Sequence, residues 1–159
     1  MNIKKHWTKT DLTTFYAFYN NKVQHIDCII WQNQIDPQQT IEIIDALVIT
    51  FENTKQLIIA TDSSGTGLYS CTSVDEHITG LQSPDPRIRL FKARADKTQL
   101  WQSVLNKSLL SIGLSKDPDD INLYLSDGII LNFENESREL RMHPLDGILL
   151  DYYEAKILC

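Results

Sequence analysis

The chain has 159 residues, of which 15 are basic and 21 acidic for a net charge of −6, with 42% hydrophobic and 23% charged residues. That balance excludes collagen-like, mucin-like and disordered compositions, and the length suits one domain over 1–159, since a single core serves roughly 100 to 200 residues. No apolar run approaches the ~20 residues needed to span a bilayer, and no apolar stretch follows the first positive charges, so neither secretion nor membrane insertion is expected. Three cysteines, Cys28, Cys71 and Cys159, show no CxxC spacing and an odd count, which favours a reducing cytoplasm over a disulfide framework.

In chain order, Leu12, Phe15, Tyr16 and Tyr19 fall on one helix face, with Thr10 or Asp11 placed to cap and Asn20 and Asn21 to stop it. Residues 23–31, rich in Val and Ile, predict a buried strand, and 32–40 a loop around Asp36 and Pro37. Two strands follow over 40–53 and 55–62, joined at Asn53 and Thr54; a glycine turn at 63–67 then leads into 68–72. Residues 73–97 are the hardest to read: Pro84 and Pro86 oppose a regular element, and 87–97 suits either strand or helix. Thr98 caps a second helix whose face is Leu100, Trp101, Val104 and Leu105. A strand over 108–114 is followed by Asp117-Pro118 and a strand ladder: 121–126, a turn at Asp127-Gly128, 129–135, 139–144, a turn at Asp146-Gly147, and 148–153.

The predicted class is α+β: antiparallel meanders packed with two short helices. Residues 45–53 align without a gap on 127–135 with Asp, Phe, Glu and Asn identical, Leu57 follows as Leu140 does, and the helix segment 9–12 resembles 97–100. Two explanations stay open: duplication of halves 9–72 and 97–155 about a pseudo-twofold axis, and convergence of any strand-turn-strand pattern on the same residues.

Signatures of chemistry are weak. The 62–67 segment has two glycines beside hydroxyls, but no lysine or following helix to make a phosphate cradle, and no serine lies in a GxSxG elbow. His6, His25, His77 and His143 are dispersed, and Asp117, Asp119 and Asp120 lack the alternation of a calcium loop, so neither metal nor cofactor is expected. Glu52 with Glu134, and Asp45 with Asp127, occupy matching places and are the carboxylates to consider for acid-base work, although Glu-Asn after a strand is first a turn signal. Arg87, Arg89, Lys92, Arg94 and Lys97 form a basic stretch around Phe91, read as an internal or dimeric electrostatic contact as readily as an RNA site.

Charge is unevenly placed. Residues 1–116 carry 12 basic and 11 acidic side chains; residues 117–159 carry 3 and 10. An acidic field of that kind repels phosphate backbones and steers a cationic partner; the competing reading is a solvated surface kept charged for solubility. In size, acidity and lack of a catalytic motif the chain resembles, at class level, the immunity proteins that bacteria make against secreted toxins. The resemblance implies a cytoplasmic, non-catalytic protein that neutralises a basic toxin domain, often a nuclease, with carboxylates covering its active site. The residues expected to bind are Asp117, Asp119, Asp120, Glu134, Glu136, Glu139, Asp146, Asp151 and Glu154, with Tyr152 and Tyr153 as aromatic anchors. Two alternatives are a small-molecule-binding or hydrolytic domain with a pocket between the meanders, using the repeated carboxylates and His143, and a homo-oligomeric subunit joined through edge strands.

Overall fold

The computed structural model describes residues 7–61, 67–71, 73–79, 83–115, 128–143 and 146–153. The strand expected at 121–126, most of the glycine loop, and Asp117, Asp119, Asp120, Asp127 and Glu154 lie outside them.

The first element is α1 (Lys9–Phe15), continued by a single 3-10 turn at Tyr16–Phe18. Its cap is Thr8 rather than Thr10 or Asp11: the Thr8 side chain accepts from the Asp11 amide at 3.2 Å while the Asp11 carboxylate accepts from the Thr8 amide at 3.1 Å. This reciprocal capping box satisfies two otherwise orphaned donors, which neither residue downstream can do. Four strands follow: β1 (Val23–Asn33), β2 (Ile41–Phe51), β3 (Gln56–Thr61) and β4 (Leu68–Cys71). The region hard to read from sequence holds α2 (Val74–Thr79) and β5 (Ile88–Arg94), and so resolves 87–97 as a strand. Then come α3 (Gln99–Gln102), β6 (Leu109–Ser115), β7 (Gly128–Phe133), β8 (Glu136–His143) and β9 (Gly147–Tyr153).

The fold is α+β, with all nine strands in one curled mixed sheet. Strands β1 to β4 form an antiparallel meander with β5 added on the outer side of β1, and β6 to β9 form a second. Among the described residues, backbone pairing joins the meanders at two places. One is a parallel bridge between Ile44 and Gly147. A Cβ at Gly147, where φ is +74°, would stand 2.6 Å from the Ile44 carbonyl oxygen, so this contact demands glycine.

The second contact is reciprocal. Asn20 N–H donates to Leu109 O and Asn106 N–H to Val23 O, while Val23 N–H donates to Lys107 O and Leu109 N–H to Asn21 O. Exchanging Asn20–Val23 with Asn106–Leu109 leaves this set unchanged. Both asparagines are left-handed, at φ 65° and 67°, a conformation Asn tolerates better than most side chains. The correspondence continues outward: Val23 pairs with Phe51 as Leu109 pairs with Phe133, and each first strand has a register shift immediately afterwards. Two details differ from the sequence alignment. Counting back from the two asparagines, Trp101 stands where Phe15 does, two residues out of step with the 9–12 and 97–100 pairing. Because the β7–β8 turn is one residue shorter than the β2–β3 turn, Arg138, not Leu140, takes the place of Leu57.

Strand alternation directs Leu47, Ile49, Phe51, Leu57 and Ile59 of the first meander, and Ile129, Leu131, Phe133 and Leu140 of the second, into one core with Phe15, Phe18, Trp101 and Val104 from the helical segments. A second cluster lies on the opposite face of the first meander alone: Ile29, Ala46, Val48, Ile58 and Ala60, covered by Val74 and Ile78 of α2 and by Leu90 of β5.

Candidate functional site

The residues expected to bind a partner are divided between the two faces of the second meander. Glu136 lies on the core side with Arg138 and Tyr152; Glu139 lies on the opposite side with Arg141, Asp151 and Tyr153, as period-two alternation from the β7–β8–β9 register requires. Glu134 is exposed in the β7–β8 turn, and Asp146, 67% exposed at its side chain, is 3.4 Å from His143 in the β8–β9 turn.

The core-side group is built around Arg138, whose side chain is 3% exposed. Its Nε donates to Leu100 O at 2.7 Å, holding the end of α3, one Nη donates to Ser137 O at 2.9 Å, and the other bonds Ser103 Oγ and Glu136. Lys107 pairs with the second Glu136 oxygen, and Ser103 Oγ donates to the first at 2.5 Å. Burial works to raise the Glu136 pKa, but hydrogen bonds from Lys107, Ser103 and Arg138 outweigh it and hold the carboxyl at about 2. Tyr152, 52% exposed, lays its ring over the Arg138 guanidinium with 4.5 Å to the centroid. Ser103, Asn135, Glu136, Ser137, Arg138, Tyr152 and Tyr153 line a cavity of about 330 Å³ there.

On the outer face, Glu139 accepts from Arg141 Nε at 3.0 Å and from Ser115 Oγ at 2.5 Å. Asp151 stands directly across the β8–β9 ladder from Glu139, and no cation is paired with it among the described residues. Two of the expected carboxylates are thus tied to cations of their own chain, while Glu134 and Asp151 present charge outward. A count of acidic residues misses this neutralisation: Arg138 and Arg141 each stand two residues along β8 from their partners, on the same face, and Lys107 arrives from 29 residues away.

The basic stretch is satisfied nearby rather than by the acidic carboxyl-terminal part. Arg87 bonds Asp85, Arg89 Nε donates to Gln32, Lys92 Nζ is 3.8 Å from Asp27, and Arg94 bonds Asp96. The Arg87 hydrogen bond brings the Asp85 carboxyl down to about 2. His25 is 45% exposed at its side chain and is met by Arg94. Glu52 and Glu134 both sit on exposed turns, as the turn signal implied.

A cavity of about 510 Å³ lies between the meanders, lined by Cys28, Ile30, Ile44, Trp101, Ile148 and Leu150 among others. Among the described residues, none of Asp45, Glu52, Glu134 or His143 lines it. Burial, helped by the neighbouring Asp27 charge, pushes the Cys28 thiol up to about 12, so it stays a neutral apolar group.

A polar chain on the first meander escaped the sequence reading. Thr61 Oγ donates to Asp45 Oδ1 at 2.6 Å, the other Asp45 oxygen meets His77 Nε2, and the Tyr69 hydroxyl is 2.8 Å from His77 Nδ1. Asp45 and His77 are both buried. His77 is 32 residues from Asp45, so no local spacing signals the pair.

Among the described residues no group of three His, Cys, Asp or Glu is placed to hold a metal ion, and no helix is long and apolar enough to cross a membrane. No protein-family model, curated protein or solved structure matches the chain.

Proposed function

We propose that the chain is a non-catalytic protein-binding domain of the immunity-protein kind, working in the cytoplasm and holding a basic toxin domain against the second meander. The observation that carries this reading is the difference between the two outer faces. Where the first meander is apolar and covered by α2, the second carries Glu139, Asp151 and Tyr153 without any described element across it, and Glu134 and Tyr152 project at its end. Carboxylates beside tyrosines suit a cationic partner, because charge steers the encounter and aromatic rings supply anchoring area. Where the matching register and reciprocal asparagines reflect a duplication of one unit, binding is the role that the second copy acquired by exchanging apolar outer-face residues for charged ones.

The test is affinity capture by the tagged protein at low and high salt, with the wild type and a Glu134→Lys, Asp151→Lys, Tyr152→Ala variant. One stoichiometric basic protein, lost from the variant and weakened by salt, supports the reading. Equal capture by both proteins overturns it. The 510 Å³ apolar cavity favours a second reading, binding of a small apolar molecule between the meanders. A change in Trp101 fluorescence on adding such a molecule would distinguish it.

A further inference from the structure

The polar chain on the first meander has the geometry of a relay. Asp45 is the extra residue of a β-bulge: Ile29 pairs with Ala46 and Ile30 with Ile44, leaving Asp45 without a partner across β1. A bulge re-aims a side chain at a local cost in pairing. Here the sheet also forks, since β3 pairs from Ala46 onward and β9 touches at Ile44. Asp45 is thereby directed at His77, which α2 presents, and Thr61 bonds its other oxygen. A carboxylate at Nε2 fixes the histidine tautomer with its proton on that nitrogen and leaves the Nδ1 lone pair for the group on the far side. That group is the hydroxyl of Tyr69, half-buried on β4.

The geometry points to Tyr69 as a base-activated nucleophile that accepts an acyl group from an activated ester. In the step, the phenol oxygen attacks the ester carbonyl, its proton passes to His77 Nδ1, and the carbonyl–oxygen bond to the leaving alcohol breaks. The proton is then returned from His77 to the departing alkoxide, and the imidazolium formed in between is stabilised by Asp45. No oxidant or cofactor is required. A purely structural polar pin would show the same contacts, because a buried Nδ1 lone pair needs a donor, and the rate of reaction at Tyr69 is what separates the two. Among the described residues the second meander has no such chain: by register Leu149 occupies the place of Tyr69 and Met142 that of Thr61. The inference does not depend on the docking reading.

p-Nitrophenyl acetate is the probe, with nitrophenol release followed by colour and acetylated tyrosines mapped by mass spectrometry. Tyr16, 68% exposed, and Tyr152, 52% exposed, serve as internal references because no histidine or carboxylate side chain is hydrogen-bonded to either hydroxyl among the described residues. Tyr69 is expected to acetylate at least about tenfold faster than either, a modest share of what a positioned base contributes. His77→Gln, which can still donate to Asp45, and Asp45→Asn are expected to bring Tyr69 down to the reference rate with Tyr16 unchanged. If Tyr69 reacts no faster than Tyr16 and Tyr152 in the wild type, or keeps its advantage in a folded His77→Gln variant, the relay is only a structural pin. The wild-type ratio decides even where a variant does not fold.

Discussion

The two meanders share strand order and the register of their first strand pair, yet they are finished differently. On the core side, Leu57 of the first corresponds to Arg138 of the second; on the outer side, Ile58 and Ala60 correspond to Glu139 and Arg141. The first meander is therefore apolar on both faces and buried on both, with α2 as an added layer. The second is apolar on one face and polar on the other, as antiparallel sheets with one solvated side are. Register is fixed by the core-facing residues and the turns, because a one-residue slip would send every core side chain outward. The outer face is under no such constraint, and its residues decide whether a helix packs there or charge faces outward.

The largest expected effect comes from Arg138, the position where the halves differ most. Arg138→Ala removes the cation from a buried pair and leaves Ser103, Glu136 and the Leu100 carbonyl short of donors; a loss of roughly 3–5 kcal/mol is expected in urea unfolding. Arg138→Leu combined with Glu136→Ala makes the second meander resemble the first at this place and should recover most of that loss, since an apolar replacement of a buried pair is often neutral. If the double variant is no more stable than Arg138→Ala, the two core faces are not interchangeable.

Gly147→Ala tests the contact at which the meanders join. A left-handed φ and a carbonyl 2.6 Å from the new Cβ should together cost roughly 1–3 kcal/mol, whereas Gly113→Ala, with nothing within 4 Å of its Cβ, should cost less. Asn20→Ala and Asn106→Ala, at matched left-handed positions, should each cost about 1 kcal/mol and by nearly equal amounts. A large inequality in their unfolding midpoints would break the correspondence of the halves.

The last test is in acid. The Glu136 carboxyl, about 2 when folded against 4.5 ordinarily, contributes stability that is complete above 4.5 and is lost as pH falls through that window towards 2. Unfolding midpoints across the window should fall more steeply for the wild type than for Arg138→Ala, in which one of the bonds holding the carboxyl down is gone. Equal slopes would place the acid sensitivity elsewhere, with Asp85 and Asp96, whose carboxyls are also lowered, as the next groups to examine.

The runs of Val, Ile and Leu, the Asn-rich stops after the helices and the Glu-Asn turns determine eight of the nine described strands. They act locally, through period and backbone preference, so the sequence displays them. The repeated Asp-to-Asn segment likewise marks the two strand pairs that take the same register. What the sequence conceals is everything that depends on contact across many residues. Helix α2 spans only six residues, with Val74 and Ile78 as its apolar contacts, and it is held to the sheet partly by His77 meeting Asp45, 32 positions away. Strand β5 carries its charges at Arg89, Lys92 and Arg94, a spacing that suits a surface helix as well as a strand, and its pairing with β1 settles the matter. The acidic excess of the last quarter is a fact of composition; the pairs of Glu136 with Arg138 and of Glu139 with Arg141 follow from alternation along β8, but the second cation on Glu136, Lys107, comes from 29 residues away. Composition and period thus determine the layers and the register, and only tertiary structure decides the pairing of charges and the alignment of Asp45, His77 and Tyr69, because those energies depend on distances between side chains that the chain brings together only on folding.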